Sequence, residues 1–384
     1  MSRIRVMVVF GTRPEAIKMA PVVAALRRRP QAAETLVCTT GQHREMLDQV
    51  TRAFGIVPDM DLGLMKPDQT LAGLTSAAME AVDRAITTLR PEIVLVQGDT
   101  TTAMVAALAA FYRKVPVGHI EAGLRTRDRY RPFPEEINRR VVGCLATWNF
   151  APTITAARAL MAENVPQEAI HVTGNTVIDA LLDITSRPEP PDEKIPYPSP
   201  GLRLVLVTAH RRESFGKPFE DLCTALRDLA ARVEGIEIVY PVHLNPNVQA
   251  PVRRILGGAP RVRLIEPLGY VPFARLMKKA ALILTDSGGI QEEAPALGVP
   301  VLVLREETER PEAVEAGVAR LVGTEPARIV FEAERLLRDE NARRTMAAGA
   351  SPFGDGRAAE RIAMVLLEGS TFPPASGLPW LPPR

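Results

Sequence analysis

Several features are missing from this chain of 384 residues, and each absence removes a class of function. Apolar residues make up 46% of it, yet no unbroken apolar run reaches about eighteen residues, the length a membrane-spanning helix needs. The opening MSRIRVMVVFGTRPEA passes from a short strand-like run straight into polar turn residues, without the apolar core of a signal peptide. The expectation is a cytoplasmic protein that neither crosses nor sits on a membrane. An excess of either charge is missing too, with 47 Lys and Arg against 45 Asp and Glu. The signs are mixed along the chain and no basic face is concentrated as a nucleic-acid binder requires, whereas a small anionic ligand stays compatible. Cysteine is nearly absent. Cys38, Cys144 and Cys223 are odd in number, far apart and set in apolar stretches, which predicts reduced core thiols rather than a disulfide frame. No spacing of His, Cys and carboxylates has the form of a metal site, so no metal is expected.

What the chain does contain is alternation. Short β-branched runs at 4–10, 34–40, 93–97, 117–120 and 148–150 read as strands separated by amphipathic helical stretches. Such a βαβ series builds a parallel sheet covered by helices on both faces. Near Arg187 it breaks into RPEPPDEKIPYPSPG, which continues neither helix nor central strand and reads as the linker region. The alternation then restarts with strands at 202–208, 236–240, 262–265, 281–285 and 300–304. The predicted fold class is α/β, with two doubly wound Rossmann-like domains facing across a cleft that collects loops from the carboxyl ends of both sheets. The expected division is 1–185 for the first domain and 186–356 for the second. A terminal helix in 357–370 returns to the first domain, and 371–384 form a loosely held tail.

The residues able to carry chemistry stand at predicted strand ends. Gly11-Thr12-Arg13-Pro14 follows the first strand and opens a helix, whose N–H groups and dipole favour an anion, with Arg13 and Lys18 adding charge. Ser287-Gly288-Gly289 repeats this logic in the second domain, and Glu293, one turn on, can accept both hydroxyls of a ribose. Each alone also reads as an ordinary capped turn. Together they point to a nucleotide diphosphate. Asp99, Glu121, Glu135 and Glu136 stand in consecutive loops of the first domain, and converging carboxylates push at least one pKa upward, supplying acid and base in one site. His210, followed by Arg211 and Arg212, ends the first strand of the second domain and suits either an acid or a diphosphate ligand.

With these segments in hand the chain closely resembles the non-hydrolysing UDP-N-acetylglucosamine 2-epimerases, a family of glycosyltransferase-B architecture. The resemblance rests on FGTRPEAIKMAP, GQHREMLDQ, VQGDTTTA, VGHIEAGLRT, PFPEEINRR, TGNTVIDALL, TAHRRESFG, DSGGIQEEAPALGVPVLVLR and ETERPEAV, and runs from Val9 to about Gly356. It implies a reaction centre of Arg13, Lys18, Asp99, Glu121, Glu135 and His210. For the nucleotide it implies Phe273 beside the uracil, Ser287, Gly288 and Gly289 at the diphosphate, Glu293 at the ribose, and Arg310. Some members bind a second, activating substrate molecule, and Gln42, His43, Gln69, Glu136, Arg211 and His243 match much of that site. Where those members carry an arginine before the glutamine, this chain has Lys66-Pro67-Asp68-Gln69. The resemblance further implies UDP-N-acetylglucosamine and UDP as ligands, no required cofactor, a homodimer, and anti elimination of UDP to 2-acetamidoglucal followed by re-addition. Which carboxylate removes the C2 proton and which returns it stays open. A hydrolysing epimerase that releases N-acetylmannosamine, a glycosyltransferase and a catalytically idle UDP-sugar sensor are the competing readings.

Overall fold

The computed structural model describes residues 3–41, 44–64, 69–189 and 194–369. Gln42, His43 and the tail 371–384 lie outside the described residues, as do Lys66, Pro67 and Asp68. The chain divides into two compact units, Met1–Ala180 with Phe353–Arg384, and Leu181–Pro352.

The first unit is built on a seven-stranded sheet of β1 (Ile4–Phe10), β2 (Ala33–Thr39), β3 (Met60–Asp61), β4 (Ile93–Gln97), β5 (Val117–Ile120), β6 (Trp148–Ala151) and β7 (Ile170–Val172), in the order β3-β2-β1-β4-β5-β6-β7. Every pairing is parallel. Because both faces are covered, the central strands are apolar throughout rather than alternating: Val6 to Phe10 and Val94 to Val96 are all buried. The second unit repeats the plan with β8 (Arg203–Thr208), β9 (Ile236–Pro241), β10 (Val262–Ile265), β11 (Ala280–Thr285), β12 (Val301–Val303) and β13 (Ala319–Leu321), ordered β10-β9-β8-β11-β12-β13. In each sheet the order reverses once, between β1 and β4 and between β8 and β11. Loops leaving such a reversal diverge to opposite faces and open a crevice at the carboxyl edge.

The division between units falls inside the helix Thr176–Ser186, upstream of the expected boundary at 185/186. The proline stretch is not a free linker at its described ends. Proline leaves neighbouring carbonyls without ladder partners, and side chains of the second unit take them. Arg275 donates to the oxygens of Arg187 and Pro188 at 3.0 and 2.7 Å, Lys278 to that of Thr185 at 2.8 Å, and Arg263 to that of Pro196 at 2.8 Å. The chain returns to the first unit at Phe353, ahead of the expected 356. There the helix Ala358–Glu368 lies against the helix Arg13–Arg27, with Glu360 paired to Arg29. One expectation is corrected. Cys38 and Cys223 are buried free thiols, but Cys144 is exposed, because its helix Glu135–Leu145 turns Glu136, Asn138, Val142 and Gly143 inward instead. Among the described residues no helix is long and apolar enough to cross a membrane.

Asp179 caps the terminal helix, accepting from the N–H groups of Ala358 and Ala359 at 3.2 and 2.8 Å. Burial outweighs these bonds and pushes its carboxyl from 3.8 up to about 6. Between those values the folded chain holds a proton that the unfolded chain has lost, so stability falls as pH rises through about 6. The melting temperature of the wild type minus that of Asp179→Asn is therefore expected to be higher at pH 5 than at pH 7.5 by about 3 °C. Equal differences at the two pH values, measured by calorimetry, contradict this.

Candidate functional site

At the reversal of the first sheet, Gly11 ends β1 in a space closed to any other residue: a Cβ there would stand 2.0 Å from Thr40 Oγ1. Thr12 then caps the helix Arg13–Arg27 in a reciprocal box with Glu15. The Glu15 carboxylate accepts from the N–H groups of Thr12 at 2.7 Å and Gly11 at 3.0 Å, and from the Thr100 hydroxyl at 2.6 Å. This helix start therefore already carries an internal anion. Arg13 is partly buried at the first helical position, and Lys18, one turn on, directs its charge inward to Glu121.

Glu121 follows β5 with φ of 64°, a left-handed conformation uncommon for a residue with a side chain. Its side chain is 5% exposed. Lys18 Nζ lies 2.6 Å from both carboxylate oxygens, Asn175 Nδ2 donates to Oε1 at 3.1 Å, and Gln97 Nε2 donates to Oε2. Asp99 follows Gly98, whose φ of 69° turns the chain at the end of β4. Burial pushes the Asp99 carboxyl above its ordinary value; the charge of Glu121 adds to that shift, and those of Arg139 and Lys18 oppose it. Arg139 forms an ion pair with Asp99, while Asn138 Nδ2 donates to the Asp99 carbonyl at 2.9 Å. His119, buried and held down to about 4, is neutral near pH 7 and lies 2.8 Å through Nε2 from the Gly98 carbonyl. Glu121 is thus held by two uncharged amides and Lys18, and the side chain of Asp99 by Arg139.

Glu135 is partly buried at the first position of the helix that also carries Asn138 and Arg139. Glu136 is differently employed. Its carboxylate is fully buried, accepts from the N–H groups of Thr126 and Arg127 at 3.1 Å each, and meets Arg139 at 3.4 Å, closing the loop between β5 and the helix. Gln69 is partly buried.

In the second unit Asp286 ends β11 and accepts from the N–H groups of His210 at 2.6 Å and Arg211 at 2.7 Å, fixing the turn after β8. The His210 ring stacks on His243 with centroids 5.0 Å apart. Partial burial lowers the His210 pKa, the charge of Asp286 raises it, and His243 and Arg211 lower it further, leaving it below its ordinary value. His243 accepts the Asn245 N–H on Nδ1 at 3.1 Å.

Ser287 opens the helix Gly288–Ala296 without a side-chain cap bond. A Cβ built on Gly288 would lie 3.8 Å from Arg211 Nη2 and 4.0 Å from Arg310 Cζ, so two guanidinium groups flank this helix start. Glu292 forms an ion pair with Arg310, and a Cβ built on Gly289 would lie 3.5 Å from Glu293 Oε1. Helix N–H groups, a hydroxyl and two cations here have the makings of an anion cradle. Phe273 stands partly buried on the helix Tyr270–Lys279.

The structure thus gathers Lys18, Asp99 and Glu121 in one unit, and His210, Arg211, His243, Ser287, Gly288, Gly289, Glu293 and Arg310 in the other. Positions matched to substrate and to activator are neighbours here, since Arg211 borders Gly288 and His243 stacks on His210. Sequence reasoning missed Gln97, Arg139, Asn175, Asp286 and Glu292. Each lies inside or beside a motif quoted above, but an amide or a guanidinium carries no mark of what it will bind. Among the described residues no three His, Cys, Asp or Glu side chains cluster as metal ligands do.

Fold and loop chemistry define a two-domain α/β protein of the glycosyltransferase-B class. The glycotransferase of kitacinnamycin, 14% identical with a TM-score of 0.62 over 95% of this chain and 99% of that one, shares the fold alone. The family model described as UDP-N-acetylglucosamine 2-epimerase matches residues 24–367. The UDP-N-acetylglucosamine 2-epimerase of Salmonella typhimurium is 54% identical over 94% of this chain and 98% of its own. The crystal structure of UDP-GlcNAc 2-epimerase from Neisseria meningitidis bound to UDP-GlcNAc is 46% identical, with a TM-score of 0.85 over 95% of this chain and 100% of that one. The chain belongs to the UDP-N-acetylglucosamine 2-epimerase family.

Removing one partner of a buried ion pair strands the other charge. Lys18→Met and Glu121→Gln are each expected to destabilise the first unit by about 3 kcal/mol, and the double variant by at least about 1 kcal/mol less than their sum. Strictly additive losses in urea unfolding contradict mutual dependence of the two.

Proposed function

We propose that the protein interconverts UDP-N-acetylglucosamine and UDP-N-acetylmannosamine by inverting C2 of the sugar while returning it to UDP. The observation that carries this reading is the Asp99–Glu121 pair, in which one carboxyl is pushed upward by burial beside a carboxylate anchored on Lys18. Two carboxylates in unlike environments supply a proton donor and an acceptor together. The relative bound to UDP-GlcNAc supports the substrate.

The C2 proton of this sugar is not adjacent to a carbonyl, so a carboxylate cannot remove it unaided. Loss of the proton is coupled to breaking of the C1–O bond, whose electrons leave with UDP, giving 2-acetamidoglucal. Protonation of C2 from the other face and re-addition of UDP at C1 complete the inversion. Proton transfers fall to Asp99, Glu121 and Glu135. Ser287, Gly288, Gly289, His210, Arg310 and Arg13 meet the charge on the leaving diphosphate. Glu293 accepts the ribose hydroxyls and Phe273 lies beside the uracil. Neither a metal nor an organic cofactor is required, because the guanidinium groups of Arg13 and Arg310, with the N–H and hydroxyl donors, offset the charge of the leaving group. A homodimer and a cytoplasmic location, implied by the family resemblance, belong to the same proposal.

NMR of UDP-N-acetylglucosamine with the protein in D2O is expected to give UDP-N-acetylmannosamine carrying deuterium at C2, at a rate unchanged by EDTA. Free N-acetylmannosamine as the product contradicts retention of the sugar on UDP, and binding without turnover makes the protein a sensor. Asp99→Asn, Glu121→Gln and Glu135→Gln are each expected to lower kcat by at least about two orders of magnitude with UDP affinity kept. Near-normal turnover in all three removes the carboxylates from the reaction.

A further inference from the structure

We infer that Asn175 is a positioning residue for Glu121, and that it links this carboxylate to the place where the chain passes between its two units. The inference rests on the role proposed for Glu121. Asn175 is 2% exposed and every polar group it carries toward the site has a partner. Its Oδ1 accepts the Val177 N–H at 3.1 Å, capping the helix Thr176–Ser186. That bond fixes the orientation of the amide, so Nδ2, the opposite end, is the group that donates to Glu121 Oε1 at 3.1 Å. Its own backbone N–H donates to the Phe353 carbonyl at 2.7 Å.

Phe353 is the first residue of the returning segment, and Ala180 the last before the chain leaves the first unit. The two segments touch where only glycine fits: Gly174 has φ of 89°, and a Cβ on it would lie 3.2 Å from Gly354 Cα. Asp179, on the Asn175-capped helix, holds the next helix through Ala358 and Ala359. A displacement of either segment therefore moves Asn175, and its amide carries that displacement to Glu121. Lys18 grips the same carboxylate from the helix Arg13–Arg27 and Gln97 from the end of β4. Among the described residues, the charged or titratable groups facing Glu121 include Lys18, Asp99 from the loop after β4, and His119 on its own strand. Asn175, like Gln97, is a neutral amide, and its donor end is what makes it compatible with an anion.

Asn175→Asp keeps the helix cap and the Phe353 bond but sets a like-charged oxygen against Glu121. Asn175→Ser keeps the cap and removes the donor. With the full-length protein, the acid limb of the kcat profile is expected to move to higher pH by about one unit in Asn175→Asp and by less in Asn175→Ser. In Asn175→Asp kcat at pH 7 falls about tenfold or more, while KM and the UDP dissociation constant stay within about twofold. A residue that only capped a helix would change the melting temperature and leave the profile in place. Folded variants with the wild-type profile overturn the inference, as does failure of both variants to fold, which would make Asn175 a purely structural residue. Glu121→Gln measured alongside separates the two levels: full activity there removes the role of Glu121 itself, whereas an inactive Glu121→Gln with unshifted Asn175 variants overturns only the inference about Asn175.

Discussion

A carboxylate withdrawn from water at a left-handed corner of the backbone is stable only where donors surround it, and the first unit is organised around meeting that demand at Glu121. Desolvating such a group costs several kcal/mol unless charge and hydrogen bonds offset the loss. The offset comes from donors on three separate segments. Lys18 has to stand one turn into its helix, and the start of that helix is fixed by the Thr12–Glu15 box, itself held by Thr100. Gln97 closes β4, Asn175 opens the helix Thr176–Ser186, and the strained turn at Glu121 is kept by the strand before it. Strain and buried charge in one residue mark a place where folding free energy is given up to hold a geometry, and the raised carboxyl of Asp99 stands beside it.

The two units use the same strand–glycine–helix turn to opposite electrostatic ends. In the first, Glu15 acts as a resident anion and occupies the N–H groups a ligand would otherwise meet. In the second, Asp286 precedes the helix and is turned back onto the β8 loop, where it organises His210 and Arg211. Buried carboxylates with their cations thus lie in the first unit, and a helix start flanked by guanidinium groups lies in the second.

The long central strands were legible because burial on both faces writes continuous apolar runs into the chain, and the loops of interest were located by where those runs stop. The edge strands β3, β7 and β13 were not, since two or three residues held mainly by one neighbour leave no pattern. The proline stretch reads as a linker for a sound reason, lack of backbone donors, but Arg263 and Arg275 satisfy its carbonyls from a distance no local reading reaches. Asn175 and Arg139 escaped for a related reason: their partners Glu121 and Asp99 are remote in the chain. Glu136 beside Glu135 shows the limit most plainly, since adjacent identical residues divide between a buried loop clamp and a group toward which no clamp is directed.

A crystal structure of the protein with UDP-N-acetylglucosamine bound is the most direct measurement of whether these charges act on one molecule. The predicted result has the diphosphate on Ser287, Gly288 and Gly289, and C2 of the hexose within about 3.5 Å of a carboxylate oxygen of Asp99, Glu121 or Glu135. A hexose whose C2 approaches none of the three, or a diphosphate seated away from the Ser287 loop, contradicts the assignment.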